Sequence, residues 1–204
     1  MNAASTIIRT GTLAILCGTL AWGCAEKPVQ VTDQALQAIQ AAKEAGATDY
    51  ASEDLRLAED EYQKAQEEIT TQDQAFVLMR NYDEANAILA KVVTNAEQAK
   101  TKAIANKQQA KMDAEAAVVL AKTTLADAKN LLAQAPRGKG TQADLQALHG
   151  DLQAADTTLG EIDPIMAKED YLGVKAKAES VLALATRVNE QVAHAMQKAG
   201  KVKA

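Results

Sequence analysis

From Leu55 onward, apolar residues fall in alternating steps of three and four: Leu55, Ala58, Tyr62, Ala65 and Ile69. After an interruption at Gln72 the series continues with Phe76 and Met79. Past Asn81-Tyr82 it restarts as Tyr82, Ala85, Leu89, Val92, Ala96, Ala99 and Ala103. This spacing sets one side chain per turn on a single stripe of an α-helix, which is buried only where another helix lies along it. A sheet would need a period of two. Composition points the same way: 44 alanines, one Phe, one Trp and four Tyr among 204 residues. That is material for long helices, with little for a β core or an aromatic-lined pocket.

The stripe recurs. Shifted by 90 residues, Leu55, Ala58, Tyr62, Ala65 and Ile69 fall on Leu145, Leu148, Leu152, Ala155 and Leu159. The same shift carries Ala35, Ala38, Ala42 and Ala45 onto Leu125, Ala128, Leu132 and Ala135. A shift of 89 carries Tyr82, Ala85, Leu89, Val92, Ala96, Ala99 and Ala103 onto Tyr171, Val174, Ala178, Val181, Ala185, Val188 and Val192. Every stripe position stays apolar, and the two tyrosines match, which points to an internal duplication.

Helix punctuation fits this pattern. Gly46 suits a left-handed C-cap, and Pro136 stops a helix. Ser52 and Thr141 are natural N-caps. Asp163-Pro164 after Gly160 marks another start, with Pro at the first helical position. Its counterpart, Thr70-Thr71-Gln72-Asp73, predicts a kink or short break. Nothing between residues 83 and 135 interrupts a helix, so that segment reads as one helix of about 80 Å. The expected fold is all-α: an elongated antiparallel helical bundle or coiled coil, two similar three-helix units sharing a long central helix. Unit 1 spans residues 33–110 and unit 2 residues 111–200. A basic tail, 201–204, ends the chain. The hand-over between units falls on the polar stretch Asn106-Lys107-Gln108-Gln109-Ala110-Lys111.

The first segment is an address. Residues 1–23 carry one basic residue, Arg9, and no acid, with the apolar run Leu13-Ala14-Ile15-Leu16-Cys17 and then Leu20-Ala21-Trp22. That is the pattern of a secretory signal, too short and interrupted for a spanning helix. Leu20-Ala21-Trp22-Gly23-Cys24 resembles a bacterial lipobox, which implies cleavage before Cys24 and lipidation of its sulfur. An ordinary signal peptide or an uncleaved anchor is the alternative. Residues 24–32 then form a tether. Ala25, where an Asp would retain the protein at the inner membrane, favours the outer membrane, with the chain facing the periplasm. Removal of residues 1–23 takes the net charge from −5 to −6, which offers nothing to nucleic acid.

Catalytic chemistry is not expected. With Cys17 removed and Cys24 blocked, no thiol remains. His149 and His194 stand apart, without metal-pair spacing, and read as surface residues. The acids Glu59-Asp60-Glu61 and Glu67-Glu68 lie mostly off the stripe, where pairing with cations such as Lys64 on a solvated face is expected. No phosphate loop, dinucleotide fingerprint, nucleophile elbow or zinc-protease motif occurs. No cofactor, metal or catalytic residue is therefore assigned; the one assigned site is lipidation at Cys24. Tyr82 and Tyr171 are read as rings packed over helix ends with their hydroxyls in water, rather than as contact points for a partner. The basic C-terminus is read as complementing the negative end of its helix.

The run Ala38-Ile39-Gln40-Ala41-Ala42-Lys43-Glu44-Ala45-Gly46-Ala47-Thr48-Asp49-Tyr50-Ala51-Ser52-Glu53-Asp54-Leu55, with Ala58, Ala65 and Asn81-Tyr82-Asp83-Glu84-Ala85, is similar to a bacterial helical domain of unknown function. That family occurs in cell-envelope lipoproteins and ahead of OmpA-like peptidoglycan-binding domains. The likeness covers residues 30–105. Members often carry Pro where Ser52 stands. The second half of this chain is another helical unit rather than an OmpA-like domain, so wall binding does not transfer. The resemblance implies an envelope location and a scaffolding or adaptor role. Partners expected on this reading are the membrane, through the N-terminal lipid, and an envelope protein or the cell wall; an exposed seam would permit a homo-oligomer. The alternative is an amphipathic lipid-binding or chaperone-like periplasmic protein. Its helices would open around cargo, although narrow Ala-rich stripes suit that role poorly. An export or efflux accessory is a third possibility that the sequence does not separate from the first.

Overall fold

A computed structural model describes residues 26–135 and 142–202 of the chain. These form seven α-helices, with no strand among the described residues. They are α1 (Val29–Glu44), α2 (Ala47–Tyr50), α3 (Ser52–Gln74), α4 (Asp83–Ala133), α5 (Gln142–Gly160), α6 (Ile162–Met166) and α7 (Tyr171–Val202). A 3₁₀ turn at Val77–Met79 lies between α3 and α4. The molecule is an all-helical bundle organised on α4. That helix has 51 residues, about 76 Å at 1.5 Å per residue.

Helices α1, α2 and α3 pack along the first part of α4, and α5 and α7 along the second. Each group closes its own core. One is built around Leu55, Ile69, Leu89 and Val92, the other around Leu125, Leu152, Val174 and Val181. On α4 the cores part between Ala103 and Ala114, a stretch with no buried residue. Of all the stripe positions paired by the 89- and 90-residue shifts, Ala45, Tyr62, Leu145 and Leu159 are half-buried and the rest are buried. Alanine at so many of these positions lets helix axes approach toward the ~8 Å end of their range.

Several local expectations change. Helix α1 starts at Val29, so four residues assigned to the tether are its first turn. There the Thr32 hydroxyl donates to the Pro28 carbonyl at 2.7 Å. Ser52 is the first residue of α3 and makes no capping bond; Ala51 holds the N-cap position. Pro164 is the third residue of α6 rather than the first, still within the turn whose N–H groups lack intrahelical partners. Helix α3 runs through Thr70–Gln74 without a break. The Thr70 and Thr71 hydroxyls donate to the carbonyls of Gln66 and Glu67, so these polar residues are accommodated inside the helix. The break comes at Ala75, whose ψ of 155° is extended. Phe76 and Met79, placed on the stripe by their spacing, are instead exposed beyond the helix end.

The solvated faces carry cross-helix ion pairs. Lys43 meets Glu59 between α1 and α3, Lys102 meets Asp54 between α3 and α4, and Lys129 meets Asp156 between α4 and α5. Arg56 pairs with Asp60 one turn on, and Glu61 accepts from Asn95 of α4. The acids at 59–61 thus find Lys43, Arg56 and Asn95, not Lys64. Each such exposed pair contributes about 0–1 kcal/mol, so stability rests on the stripes.

Candidate functional site

Two places gather side chains that packing alone does not require: the end of the bundle where the chain enters, and the joint between the cores.

At the entry end, Lys27 reaches across to α3 and its ammonium meets Asp73 Oδ2 at 2.6 Å. The Tyr82 hydroxyl donates to the other oxygen, Asp73 Oδ1, at 2.6 Å. One carboxylate therefore ties the entering chain, the end of α3 and the start of α4 together. Lys27, and secondarily the Tyr82 hydroxyl, hold the Asp73 carboxyl below its ordinary pKa. The same hydrogen bond to Asp73 raises the Tyr82 phenol. Arg80 closes the loop from the other side. Its guanidinium donates to the carbonyls of Asp73 at 2.7 Å and Ala75 at 3.1 Å, covering acceptors that α3 leaves open at its C-terminus. The Asn81 N–H donates to Gln72 Oε1 at 3.0 Å, and Asn81 Oδ1 accepts from the Asp83 N–H at 2.8 Å. On this clamped base sit four consecutive apolar residues, Phe76, Val77, Leu78 and Met79, which are 68%, 50%, 71% and 77% exposed.

At the joint, Tyr50 packs against both cores. Its hydroxyl donates to the Glu169 carbonyl at 3.3 Å, and its own carbonyl accepts from Asn106 Nδ2 at 2.7 Å. Burial raises the Tyr50 phenol. The Lys107 ammonium meets Glu169 Oε2 at 2.8 Å, which raises the pKa of Lys107 and lowers that of Glu169. Asp113, lowered by hydrogen bonds from Gln109 and Lys175, ties α4 to α7. Two left-handed residues shape the turns that meet here: Gly46 at φ 88° and Glu169 at φ 60°. Asp170 Oδ1 then accepts from the Gly173 N–H at 2.8 Å and caps α7. Glu44, Lys107, Lys111, Glu169 and Tyr171 border an open cleft of about 370 Å³. It presents paired charges to solvent.

Cys24 lies outside the described residues, as do Cys17, Pro136, Thr141 and the last residues of the basic tail. His149 and His194 are exposed, on α5 and α7. Among the described residues, no group of three His, Cys, Asp or Glu could hold a metal ion, and no helix is long and apolar enough to cross a membrane. Tyr82 and Tyr171 both have buried rings, but the Tyr82 hydroxyl is engaged by Asp73 rather than by water. Lys27 and Arg80 carried no sequence signal and Asp73 read only as part of a helix break, because Lys27 meets Asp73 across the fold and Arg80 meets its carbonyl around a turn. Tyr50 had a weak one, an aromatic residue four places after a glycine in an alanine-rich stretch. Comparison with protein-family models, curated proteins and solved structures gives no match.

Proposed function

We propose that this chain is a lipid-anchored, non-enzymatic scaffold or adaptor of the bacterial cell envelope. On this reading it is held at the outer membrane by an acylated Cys24 and extends into the periplasm to an envelope protein or the cell wall. The observation that carries the reading is the Lys27–Asp73 contact at the start of α4. It puts the entering chain, three residues after Cys24, at one extremity of a spine about 76 Å long. An anchor there leaves the spine free to reach away from the bilayer. The lipobox-like Leu20–Cys24 and the resemblance to an envelope lipoprotein domain support the same location. Two closed cores of mostly small side chains suit a spacer better than a cargo binder, whose helices would have to separate to expose an apolar face.

The test is in-cell crosslinking of the full-length protein beside a Cys24→Ala variant, with mass spectrometry of the N-terminus and of the captured partners. A lipidated Cys24, with a wall or envelope partner captured only from the wild type, is the expected result. An unlipidated, cleaved chain that still captures hydrophobic cargo would replace this reading with the cargo-binding one.

A further inference from the structure

We infer that the loop Phe76-Val77-Leu78-Met79 inserts into the interfacial layer of the bilayer that holds the lipid anchor, fixing the bundle's entry end against the membrane surface. The choice of a bilayer as occupant rests on the proposed anchor at Cys24; the exposure of the loop does not.

Exposure of the four residues is not forced by the fold, as the duplicated unit makes plain. Shifted by 89 residues, Phe76, Val77, Leu78 and Met79 fall on Ile165, Met166, Ala167 and Lys168. There Ile165 and Met166 are partly buried against the second core, and the adjoining Ile162 is fully buried. The same connection can therefore cover its apolar residues, and in unit 1 it displays them. Nor is the loop a loose end. Arg80, Asn81 and Tyr82 bond back to Gln72, Asp73 and Ala75, so the four side chains are held out on a fixed base.

Position selects the occupant. Lys27 touches Asp73, six residues from the last of these side chains. From Lys27 the covalent chain allows Cys24 at most about 11 Å of separation. An acyl group on Cys24 therefore enters the bilayer beside this loop. Phe, Leu and Met are side chains that partition into the boundary between head groups and acyl chains. With no long apolar helix among the described residues, the contact is interfacial rather than spanning. A second copy of the chain is a poorer occupant. Four side chains expose on the order of a few hundred Å², short of the roughly 800 Å² per partner of a stable interface. The cations at this end, Lys27 and Arg80, both engage Asp73 or its carbonyl, and Asp83 and Glu84 follow directly in sequence, so the loop carries no excess of positive charge that would call for anionic lipid.

The test uses the full-length protein on phosphatidylcholine vesicles, with Leu78→Trp as reporter and Val119→Trp, exposed midway along the second half of α4, as control. The only natural tryptophan is Trp22, and wild-type protein supplies its background. Acyl-chain-brominated lipid is expected to quench Leu78→Trp strongly and to shift its emission to the blue, leaving Val119→Trp unchanged. Flotation with the vesicles reads the anchor separately. Protein that floats with Leu78→Trp unquenched overturns loop insertion and leaves the anchor intact. A Cys24→Ala variant that floats and is quenched as well as its parent supports the loop and overturns the anchor. Protein that does not float overturns both. A blue shift that depends on protein concentration, without quenching by lipid, assigns the loop to contact between copies and overturns the proposal. Circular dichroism checks that each variant keeps its helix content.

Discussion

Replacing Leu89 by Ala tests whether the two cores stand or fall together. Leu89 is fully buried on α4 and belongs to the first core only. Leu→Ala changes at buried sites cost about 2.7–5.0 kcal/mol, the lower values where surroundings collapse into the space. Here the flanking stripe residues are Ala85 and Val92, and alanine-lined helices already lie near their closest approach. Further closure is small, so a cost of at least about 3 kcal/mol is expected. That corresponds to roughly 150-fold in the opening equilibrium of the affected unit. Between the cores lie only exposed or half-buried α4 residues, bridged by Tyr50, Asn106 and the Lys107–Glu169 pair. Such a thin joint transmits little stabilisation, as between neighbouring repeats with small interfaces. Hydrogen exchange monitored by mass spectrometry should show faster exchange in α1, α3 and the part of α4 before Ala103. Helices α5 and α7, and α4 beyond Ala114, should keep wild-type rates. Equal acceleration in both halves would refute the thin joint and make the molecule one cooperative unit. No acceleration anywhere would refute the packing of Leu89.

Four further outcomes are expected. Gly46→Ala forces a Cβ into a left-handed residue, 3.2 Å from the Tyr50 ring. It should cost about 1–2 kcal/mol, lowering Tm by about 2–8 °C, whereas Gly150→Ala, in open helix, should raise Tm; equal shifts would dismiss the backbone argument. Asp73 has a depressed pKa, so its contribution is present above the ordinary value of 3.8 and is lost as pH falls through its folded pKa. Tyr82 has a raised one, so its contribution is present below 10.0 and is lost as pH rises through its folded pKa. In a phenolate absorbance titration, Tyr82→Phe should remove a late-ionising group and Asp73→Asn should bring that group earlier; no change in either would break the proposed bond. Asn189 has a buried Oδ1 without a partner, so Asn189→Ala should stabilise by about 1 kcal/mol, and a drop in thermal stability would mean the amide is engaged. Gln109→Pro, in the coreless stretch of α4, should bend the spine at a cost of about 3 kcal/mol. Small-angle scattering should then report a shorter maximum dimension at nearly unchanged helix content, and an unchanged dimension would show that the joint, not α4, sets the shape.

The stripes were legible because burial in a helical bundle repeats with the helix itself. Leu55 through Ile69 and Tyr82 through Ala103 needed only their spacing, and the matching stripes of the second half follow the same register. The long helix was legible because nothing in its sequence stops one. The end of α3 was not. Phe76 and Met79 keep the stripe's spacing by coincidence, and what ends the helix is Arg80 reaching back to the carbonyls of Asp73 and Ala75. Propensity carries no trace of that contact, because it joins a side chain to backbone acceptors around a turn. The polar run at Thr70–Asp73 misled in the opposite direction: threonines that bond their own helix look like a break when read one residue at a time. Asp73 read as part of that break and proved to be the residue that gathers Lys27 and Tyr82.

The two halves bury matching stripes and differ in their connections. In the second half, the turn from α5 to α7 tucks Ile162 into its core and offers the Glu169 carbonyl and carboxylate to Tyr50 and Lys107. That turn faces another part of the same chain. In the first half, the equivalent turn lies at an extremity of the bundle, where no other part of the described chain covers it, and it carries Phe76, Val77, Leu78 and Met79 in the open. A connection that meets protein has its apolar residues inside and its polar atoms toward the neighbour; a connection with the reverse arrangement is built for surroundings less polar than water. The difference cannot come from the needs of helix packing, because the stripes on either side are equivalent. It tracks where each turn lies: one faces another part of the chain, and the other sits beside the point where the chain enters the fold.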